Sequence, residues 1–178
     1  RTATRRSTSW QRFHYQKGVL ELIDIWNIVC QTKHNAQLAM IGLGRLQGEI
    51  EKKIKYLDLE KNIELLGFMD GFKKHEIYKN TKVIVHPASY DSGGMAAAEG
   101  MAFEIPAVSF DLEALKTYYP KGMLKAEIAN NEDFAVKILK LLEDPILYRK
   151  TAVDAKKLAF EVWDWEKRFR QIFDLWKN

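Results

Sequence analysis

The segment KVIVHPASYDSGGMAAAEGMAFEIPAVSF, residues 82–110, holds two short apolar runs separated by a loop and a stretch of small residues. The runs Lys82–His86 and Pro106–Phe110 are short and next to proline, which is typical of buried parallel strands. The alanine-rich stretch that begins after Gly93 and Gly94 predicts a helix. A strand, a helix and a second strand in this order predict a crossover connection and therefore a parallel sheet.

The same alternation extends toward the N-terminus. Apolar runs predict strands at Gln37–Ile41 and Asn62–Leu66. Apolar residues three and four positions apart predict helices over Val19–Cys30 and Leu46–Leu57. Together these segments predict an α/β fold, a three-layer α/β/α domain with a parallel sheet.

Beyond Phe110 the sequence predicts a mostly helical region. Asn131 is predicted to cap a helix, and Pro145 to end it and open the next one. A last helix is predicted from Trp163 to Trp176, and its aromatic stripe needs an apolar partner.

Length and composition favour one globular domain. The 178 residues are 47% hydrophobic and 29% charged, and residues 12–178 are assigned to the domain. Residues 1–11 are polar and are predicted to be a linker or a flexible N-terminal end. No signal peptide and no apolar stretch of about 20 residues is visible, so we expect a cytoplasmic location.

Charge and cysteine content narrow the classes of ligand. A net charge of +4 suits phosphate-bearing ligands or an anionic membrane surface, but it is too weak and dispersed to indicate nucleic acid binding. The single cysteine, Cys30, excludes an internal disulfide and a zinc-binding cysteine pattern. Its place on an apolar helix face predicts a buried hydrophobic residue.

Ligands of an open parallel sheet bind where the strands end. After Ile41, the Gly42-Leu43-Gly44 turn allows a close backbone approach, although a purely structural turn explains it equally well. Arg12 and Lys17 precede a helix and have the spacing of a diphosphate clamp. On spacing alone, two unrelated surface charges are the better interpretation.

The segment after Val85 contains more groups that could bind a ligand. Gly93 and Gly94 precede the predicted helix, whose first N–H groups form an anion site. Glu99 is the one carboxylate on a helix of alanine, glycine and methionine. It is either a solvated surface residue or an acceptor for hydroxyl groups, and composition leaves both open.

These segments together resemble the donor-binding C-terminal domain of the group 1 (family 4) retaining glycosyltransferases, which have the GT-B fold with Rossmann-like domains. The likeness covers about residues 12–178 in the family's order. Its motifs are QRFHYQKG (11–18) for G-R-x4-K-G, GLG (42–44), IELLGF (63–68), the segment 87–108 for P-S-x-x-E-x-F-G-x4-E-A-M-A, LLEDP (141–145) and VWDWE (162–166).

The resemblance implies a role for each matching residue. The catalytic residues would be Arg12 and Lys17, which bind the donor diphosphate and stabilise it as the leaving group, and Asp91, which contacts hydroxyls of the transferred sugar. Glu99 would accept hydrogen bonds from the ribose hydroxyls. The remaining substrate-binding positions are backbone or base contacts at Gly42, Gly44, Gly67, Phe68, Gly93, Gly94 and Met95.

The resemblance also implies the partners. The donor would be a UDP-, GDP- or ADP-sugar, used without a metal or other cofactor, and a hexosyl group would be transferred with retention to a glycan, a lipid-linked saccharide or a similar acceptor. The acceptor would bind to an N-terminal domain of the same enzyme, so we expect this chain alone to bind donor weakly and to transfer nothing. Peripheral membrane association and a role in polysaccharide biosynthesis are expected of the whole enzyme.

Two departures from the family pattern leave two alternative functions open. Asp91 stands where the family has glutamate, and Gly93 where it has an aromatic residue. A degenerate module without turnover would tolerate both changes. A nucleotide-sugar epimerase of the same fold would need an acid or base beside the sugar, for which His86 is the one candidate.

Overall fold

The computed structural model describes residues 6–162 and 170 of the chain. The strands are β1 (Arg6–Trp10), β2 (Leu38–Ile41), β3 (Ile63–Gly67), β4 (Thr81–His86), β5 (Ala107–Phe110) and β6 (Met123–Ala126). The helices are α1 (Val19–Thr32), α2 (Gln47–Tyr56), α3 (Gly71–Lys79), α4 (Met95–Ala102), α5 (Glu113–Tyr118), α6 (Asn131–Glu143) and α7 (Pro145–Val162).

The six strands form one sheet in the order β3-β2-β1-β4-β5-β6, and every neighbouring pair is parallel. The chain builds outward from β1 to β3, then returns to β4 and builds outward in the other direction. Such a reversal leaves a crevice at the carboxyl ends of the two strands where it occurs, here β1 and β4. The predicted α/β/α architecture is confirmed.

Two apolar clusters lie on opposite faces of this sheet. One contains residues of α1, α2 and α6, and the other contains residues of α3, α4, α5 and α7. Alternate residues of β4 divide between them, since Val83 and Val85 belong to the first cluster and Ile84 to the second. Both faces of the central strands are therefore covered, as a parallel sheet requires.

The prediction that residues 1–11 form a linker is wrong for residues 6–10. They form β1, a central strand paired with β2 on one side and β4 on the other. Ser7, Thr8 and Ser9 are all buried there. The Thr8 hydroxyl is hydrogen-bonded to that of Thr81 at 2.7 Å, and the Gln11 amide donates to the Ser9 hydroxyl at 2.9 Å. Partners of this kind let Thr8 and Ser9 replace the apolar residues expected in a central strand.

The other predictions differ mainly at element boundaries. The four predicted strands each lie within one or two residues of the observed ones. β6 interrupts the region predicted to be mostly helical, and the cap of α6 is Asn130 rather than Asn131. The opening of α7 at Pro145 and the burial of Cys30 are confirmed.

The helix predicted from Trp163 to Trp176 lies outside the described residues, apart from Arg170. Within the described residues, no helix combines the length and apolar character needed to cross a bilayer.

Candidate functional site

Two loops meet at the crevice between β1 and β4. They are residues 11–18, which follow β1, and residues 87–94, which follow β4. A Cβ atom at Gly18 would lie 1.9 Å from the carbonyl oxygen of Pro87, so the loops are in direct backbone contact. The Ser89 N–H also donates to the Gln16 carbonyl at 3.1 Å. These contacts make the two loops one continuous surface at the carboxyl edge of the sheet.

Asp91 is the centre of this surface. Its Oδ2 atom accepts hydrogen bonds from Lys17 Nζ at 2.7 Å and from His86 Nε2 at 3.0 Å. Its Oδ1 atom accepts from the backbone N–H groups of Gly93 at 2.9 Å and Gly94 at 2.6 Å. The Asp91 side chain is 9% exposed. One carboxylate therefore joins the β1 loop, the end of β4 and the turn that enters α4.

These contacts also determine the charge of Asp91. Burial by itself raises the pKa of a carboxyl group, because it disfavours the ionised form. At Asp91 the hydrogen bonds from His86, Lys17 and the two glycine amides outweigh burial and hold the pKa far below its ordinary value. Asp91 is thus ionised at neutral pH, and the Lys17 ammonium balances its charge.

The start of α4 lies directly behind this carboxylate. Gly94 caps the helix with a φ of 59°, in the left-handed region that favours glycine. The Tyr119 hydroxyl lies 2.6 Å from the Gly93 carbonyl and 3.0 Å from that of Gly94, and holds the turn from the other side. The amides of Gly93 and Gly94, predicted to hold ligand, donate to Asp91 instead. Met95 follows as the first residue of α4, where N–H groups have no intrahelical acceptor.

Arg12 lies in the first loop and is exposed. Among residues 6–162 and 170, its guanidinium has neither an ion pair nor a hydrogen bond. Lys17, by contrast, is held by Asp91. The predicted basic pair therefore consists of one oriented ammonium and one guanidinium free to contact an anion.

The glycines after β2 have a structural explanation. A Cβ atom at Gly42 would lie 1.8 Å from the Gln11 carbonyl oxygen, and one at Gly44 would lie 2.2 Å from that of Phe13. Both positions thus lack room for a side chain because the β1 loop passes against them. This close packing favours the structural interpretation of the Gly42-Leu43-Gly44 turn, although it places that turn beside Arg12.

Gly67 and Phe68 lie at the neighbouring strand end. The Gly42 N–H donates to the Gly67 carbonyl at 2.9 Å, which joins the ends of β2 and β3. Gly67 has a φ of 68°. The Phe68 side chain is 68% exposed, so its ring is an uncovered apolar surface at the edge of the site.

Glu99 lies on α4 and is ion-paired with Lys74 of α3. The Tyr78 hydroxyl also donates to Glu99, at 3.2 Å, and both contacts are made to Oε2. The Lys74 ammonium lies 4.7 Å from the ring centroid of Trp10, the last residue of β1. The sequence-based interpretation does not identify Trp10, Lys74 or Tyr78. Lys73 and Lys74 are adjacent on α3, and nothing in the sequence indicates that one of them contacts Glu99. Only the fold brings α3 beside α4.

His86 is 3% exposed, and its Nε2 atom faces Asp91. A residue that exchanges protons with a sugar ring must reach the substrate. Burial and the contact with Asp91 weigh against the epimerase alternative, which relied on His86 as acid or base. Across residues 6–162 and 170, His, Cys, Asp and Glu side chains form no group of three or more able to hold a metal ion.

Comparison with known proteins places this architecture in a family. The family described as "Glycosyl transferases group 1" matches residues 4–158. An uncharacterized glycosyltransferase of Methanocaldococcus jannaschii is 26% identical over 173 residues, which are 93% of this chain and 43% of that protein. The poly(ribitol-phosphate) alpha-N-acetylglucosaminyltransferase of Staphylococcus aureus is 25% identical over 164 residues, 88% of this chain and 31% of that protein. The chain spans less than half the length of either relative.

Solved structures show the same fold. A mutant of TarM from S. aureus, in complex with Fondaparinux, alpha-GlcNAc-glycerol and UDP, superposes with a TM-score of 0.89 at 22% identity, covering 99% of this chain and 36% of that one. HepE from Anabaena with UDP and glucose gives a TM-score of 0.87 at 17% identity, with coverages of 98% and 48%.

The extent of the match also identifies which part of such an enzyme is represented. The C-terminal domain of the Francisella tularensis group 1 glycosyl transferase LpcC gives a TM-score of 0.78 at 20% identity, and the match covers 89% of this chain and 86% of that domain. The fold is thus that of the C-terminal half of a GT-B enzyme. Because the family match runs from β1 into α7, the chain belongs to the group 1 glycosyltransferases.

Proposed function

We propose that this chain binds the nucleotide-sugar donor for a hexosyl transfer that retains the configuration of the anomeric carbon. The observation that carries the proposal is that Asp91 joins Lys17 to the start of α4 at the β1–β4 crevice, and that the loop holding Lys17 also contains the exposed Arg12. A helix N-terminus and two cations together suit a diphosphate. An ammonium has three N–H donors, so Lys17 can keep its contact with Asp91 and also bind a phosphate oxygen.

Hexosyl transfer from a nucleotide sugar requires that the negative charge on the departing nucleoside diphosphate be stabilised. As the bond between the anomeric carbon and the phosphate oxygen breaks, the nucleoside diphosphate takes the electron pair and gains negative charge. The acceptor oxygen then bonds to the anomeric carbon on the face from which the diphosphate departs, and its proton passes to the departing phosphate oxygen. The departing diphosphate would be stabilised by Arg12, Lys17 and the N–H groups at the start of α4. In other transferases a metal ion stabilises this negative charge.

Glu99 would bind the nucleoside. Its ionised carboxylate is an acceptor and suits the ribose hydroxyls. The exposed Phe68 ring and the Gly67 turn would flank the base. Structures of this fold from S. aureus and Anabaena hold UDP, and this supports a UDP-sugar as the first donor to test.

The acceptor would be bound elsewhere. Names among the relatives refer to poly(ribitol-phosphate), amylovoran and capsular polysaccharide, which supports a role in polysaccharide biosynthesis. An N-terminal domain of the same enzyme would supply the acceptor site, in the cytoplasm and with peripheral contact to the membrane. The 178 residues alone would bind donor weakly and transfer nothing.

Isothermal titration calorimetry with UDP, GDP, ADP and UDP-glucose tests the donor site. We expect one nucleoside diphosphate to bind, and Arg12→Ala to weaken it by roughly 10- to 100-fold, because a hydrogen bond between charged groups contributes about 1.5–3 kcal/mol. Arg149→Ala on α7 is the matched control, since this arginine lies outside both loops. Failure of every nucleotide to bind, or equal binding by Arg12→Ala, would contradict the assignment of the donor site. Either result would favour a non-catalytic module that binds no donor.

A further inference from the structure

Glu99 is held by two donors that lie on another helix. Both Lys74 and Tyr78 belong to α3, and each contacts the same oxygen, Oε2. No hydrogen bond to Glu99 Oε1 occurs within residues 6–162 and 170. The side chain of Glu99 is 44% exposed. One oxygen of the carboxylate is therefore anchored, and the other remains available to a ligand.

The two donors are themselves restrained. The Lys74 ammonium lies over the Trp10 ring, a favourable arrangement of a cation on an aromatic face. Tyr78 is buried, and its ring lies 5.4 Å from that of Trp10 and stacks at 5.1 Å on that of Phe103. Neither donor can swing away without losing these contacts. The orientation of Glu99 is therefore set by the packing of α3 against β1 and α4.

The protonation state of Tyr78 suits a donor. Burial, with the neighbouring Glu99 carboxylate, raises the pKa of Tyr78 far above its ordinary value. The phenol thus keeps its proton at neutral pH. It donates that proton to Glu99, while a carboxylate can only accept.

We propose that Lys74 and Tyr78 are positioning residues that orient Glu99 so that its Oε1 atom accepts a hydrogen bond from a ribose hydroxyl of the donor. This inference rests on the proposed function, which places the ribose at Glu99. A free glutamate samples several rotamers and loses that freedom when it binds a ligand. A carboxylate already held through Oε2 loses less, so the contact with the hydroxyl is stronger.

A different role for the same contacts is purely structural, as a clip that holds α3 against α4. Ion pairs at the surface contribute little to stability, and that contribution does not depend on any ligand. The two roles differ in what removal of Lys74 changes. A clip affects the melting temperature alone, whereas a positioning residue affects affinity, and only for ligands that carry the ribose hydroxyls.

The test compares UDP with 2′,3′-dideoxy-UDP by isothermal titration calorimetry on the full 178-residue chain. The variants are Lys74→Met, Tyr78→Phe, Glu99→Gln and the double variant with Lys74→Met and Glu99→Gln. Lys73→Met is the matched control, since this neighbouring lysine is exposed and has no ion pair in the described residues. If the nucleotide panel selects GDP, then GDP and its dideoxy form replace the uridine pair.

We expect Lys74→Met and Tyr78→Phe each to weaken UDP binding by roughly 3- to 10-fold, as expected for one side chain that must be ordered on binding. Dideoxy-UDP binding should stay within about twofold of wild type in both, because the ligand lacks the hydroxyls. In the Glu99→Gln background, Lys74→Met should have no further effect. Melting temperatures of all variants identify any loss of folded protein.

Three results would overturn the inference. Equal losses for UDP and dideoxy-UDP would mean that Lys74 acts on the phosphates. A lower melting temperature with unchanged affinity would mean a structural clip. Weakened binding in Glu99→Gln with normal binding in Lys74→Met and Tyr78→Phe would leave the donor site intact and refute only the positioning role. Failure of the wild type to bind any nucleoside diphosphate would instead refute the proposed function.

Discussion

Gly18 shows how closely the two loops of the proposed donor site are packed. Its φ is 65°, and the space that a side chain would need is taken by the carbonyl group of Pro87. A left-handed backbone conformation disfavours any side chain, and at this position a side chain would also push the β1 and β4 loops apart. The glycine of the K-G motif is therefore required for loop contact, independently of any ligand.

Replacing Gly18 by alanine should destabilise the protein by about 2–3 kcal/mol, because the new methyl group meets a backbone oxygen in an unfavourable backbone conformation. Gly48→Ala is the control, since a Cβ atom there meets nothing within 4 Å. It lies in α2 and should be neutral or stabilising by about 0.5 kcal/mol. Urea denaturation measures both, and equal stabilities would contradict the contact between the loops.

Asp91 is the residue at which the motif and the structure differ most. The family resemblance implies a sugar contact there, and that role stays a prediction. The structure adds that both oxygens already accept protein hydrogen bonds. Asp91 has one methylene group, one fewer than the glutamate of the family. This short side chain lets its carboxylate accept hydrogen bonds from the glycine amides of its own turn. No motif spacing could indicate this, because Lys17 and His86 approach from other segments.

At the scale of the element, β1 is the clearest difference between expectation and structure. Strand prediction relies on apolar residues, and Ser7, Thr8 and Ser9 are not apolar. They are buried because β1 is the central strand, paired on both sides. Whether a short polar segment becomes a central strand is decided by its neighbours β2 and β4, which lie far away in the sequence.

Helix α3 escapes sequence prediction for a related reason. Tyr78 is its one buried residue, so the segment has no apolar stripe that would reveal a helix. Two of its polar residues, Lys74 and Tyr78, contact Glu99 on α4. The proposed positioning residues therefore lie on an element that the sequence does not predict.

The cap of α6 gives a test at this scale. The Asn130 side chain accepts a hydrogen bond from the Asp133 N–H at 2.9 Å, whereas Asn131 is the first helical residue. Asn130→Ala should destabilise the protein by about 1 kcal/mol, the usual effect of losing an N-cap. Asn131→Ala should change stability by less than about 0.5 kcal/mol. Thermal or urea unfolding would reverse this order if Asn131 were the cap.

At the scale of the whole molecule, Asp91 joins segments from both halves of the sheet. Lys17 follows β1, His86 ends β4 and the glycine turn enters α4. Its folded-state pKa is strongly depressed. A depressed carboxyl pKa stabilises the folded state above the unfolded pKa, and that stabilisation is lost as the pH falls toward the folded value.

Asp91→Asn should therefore be less stable than wild type between about pH 5 and 8, where the unfolded and folded carboxyl groups are both ionised. The difference should shrink as the pH falls below about 4, because the wild type then loses the same contribution by protonation. Urea denaturation across this range measures the difference, with the exposed Glu60→Gln as the control. A difference that stays constant or grows in acid would contradict the assigned hydrogen bonds.

The parallel α/β architecture follows from the sequence alone, because apolar runs and predicted helices alternate over residues 19–66 and again over residues 82–110. So does the family, because its six motifs stand in order and four of them lie at strand ends, where local backbone chemistry dictates glycine, proline and small residues. Three features emerge only in the folded chain: residues 6–10 form the central strand, Asp91 accepts four hydrogen bonds, and Lys74 and Tyr78 hold Glu99. Each of these depends on contacts between segments distant in sequence, and periodicity and spacing report only the neighbours along the chain.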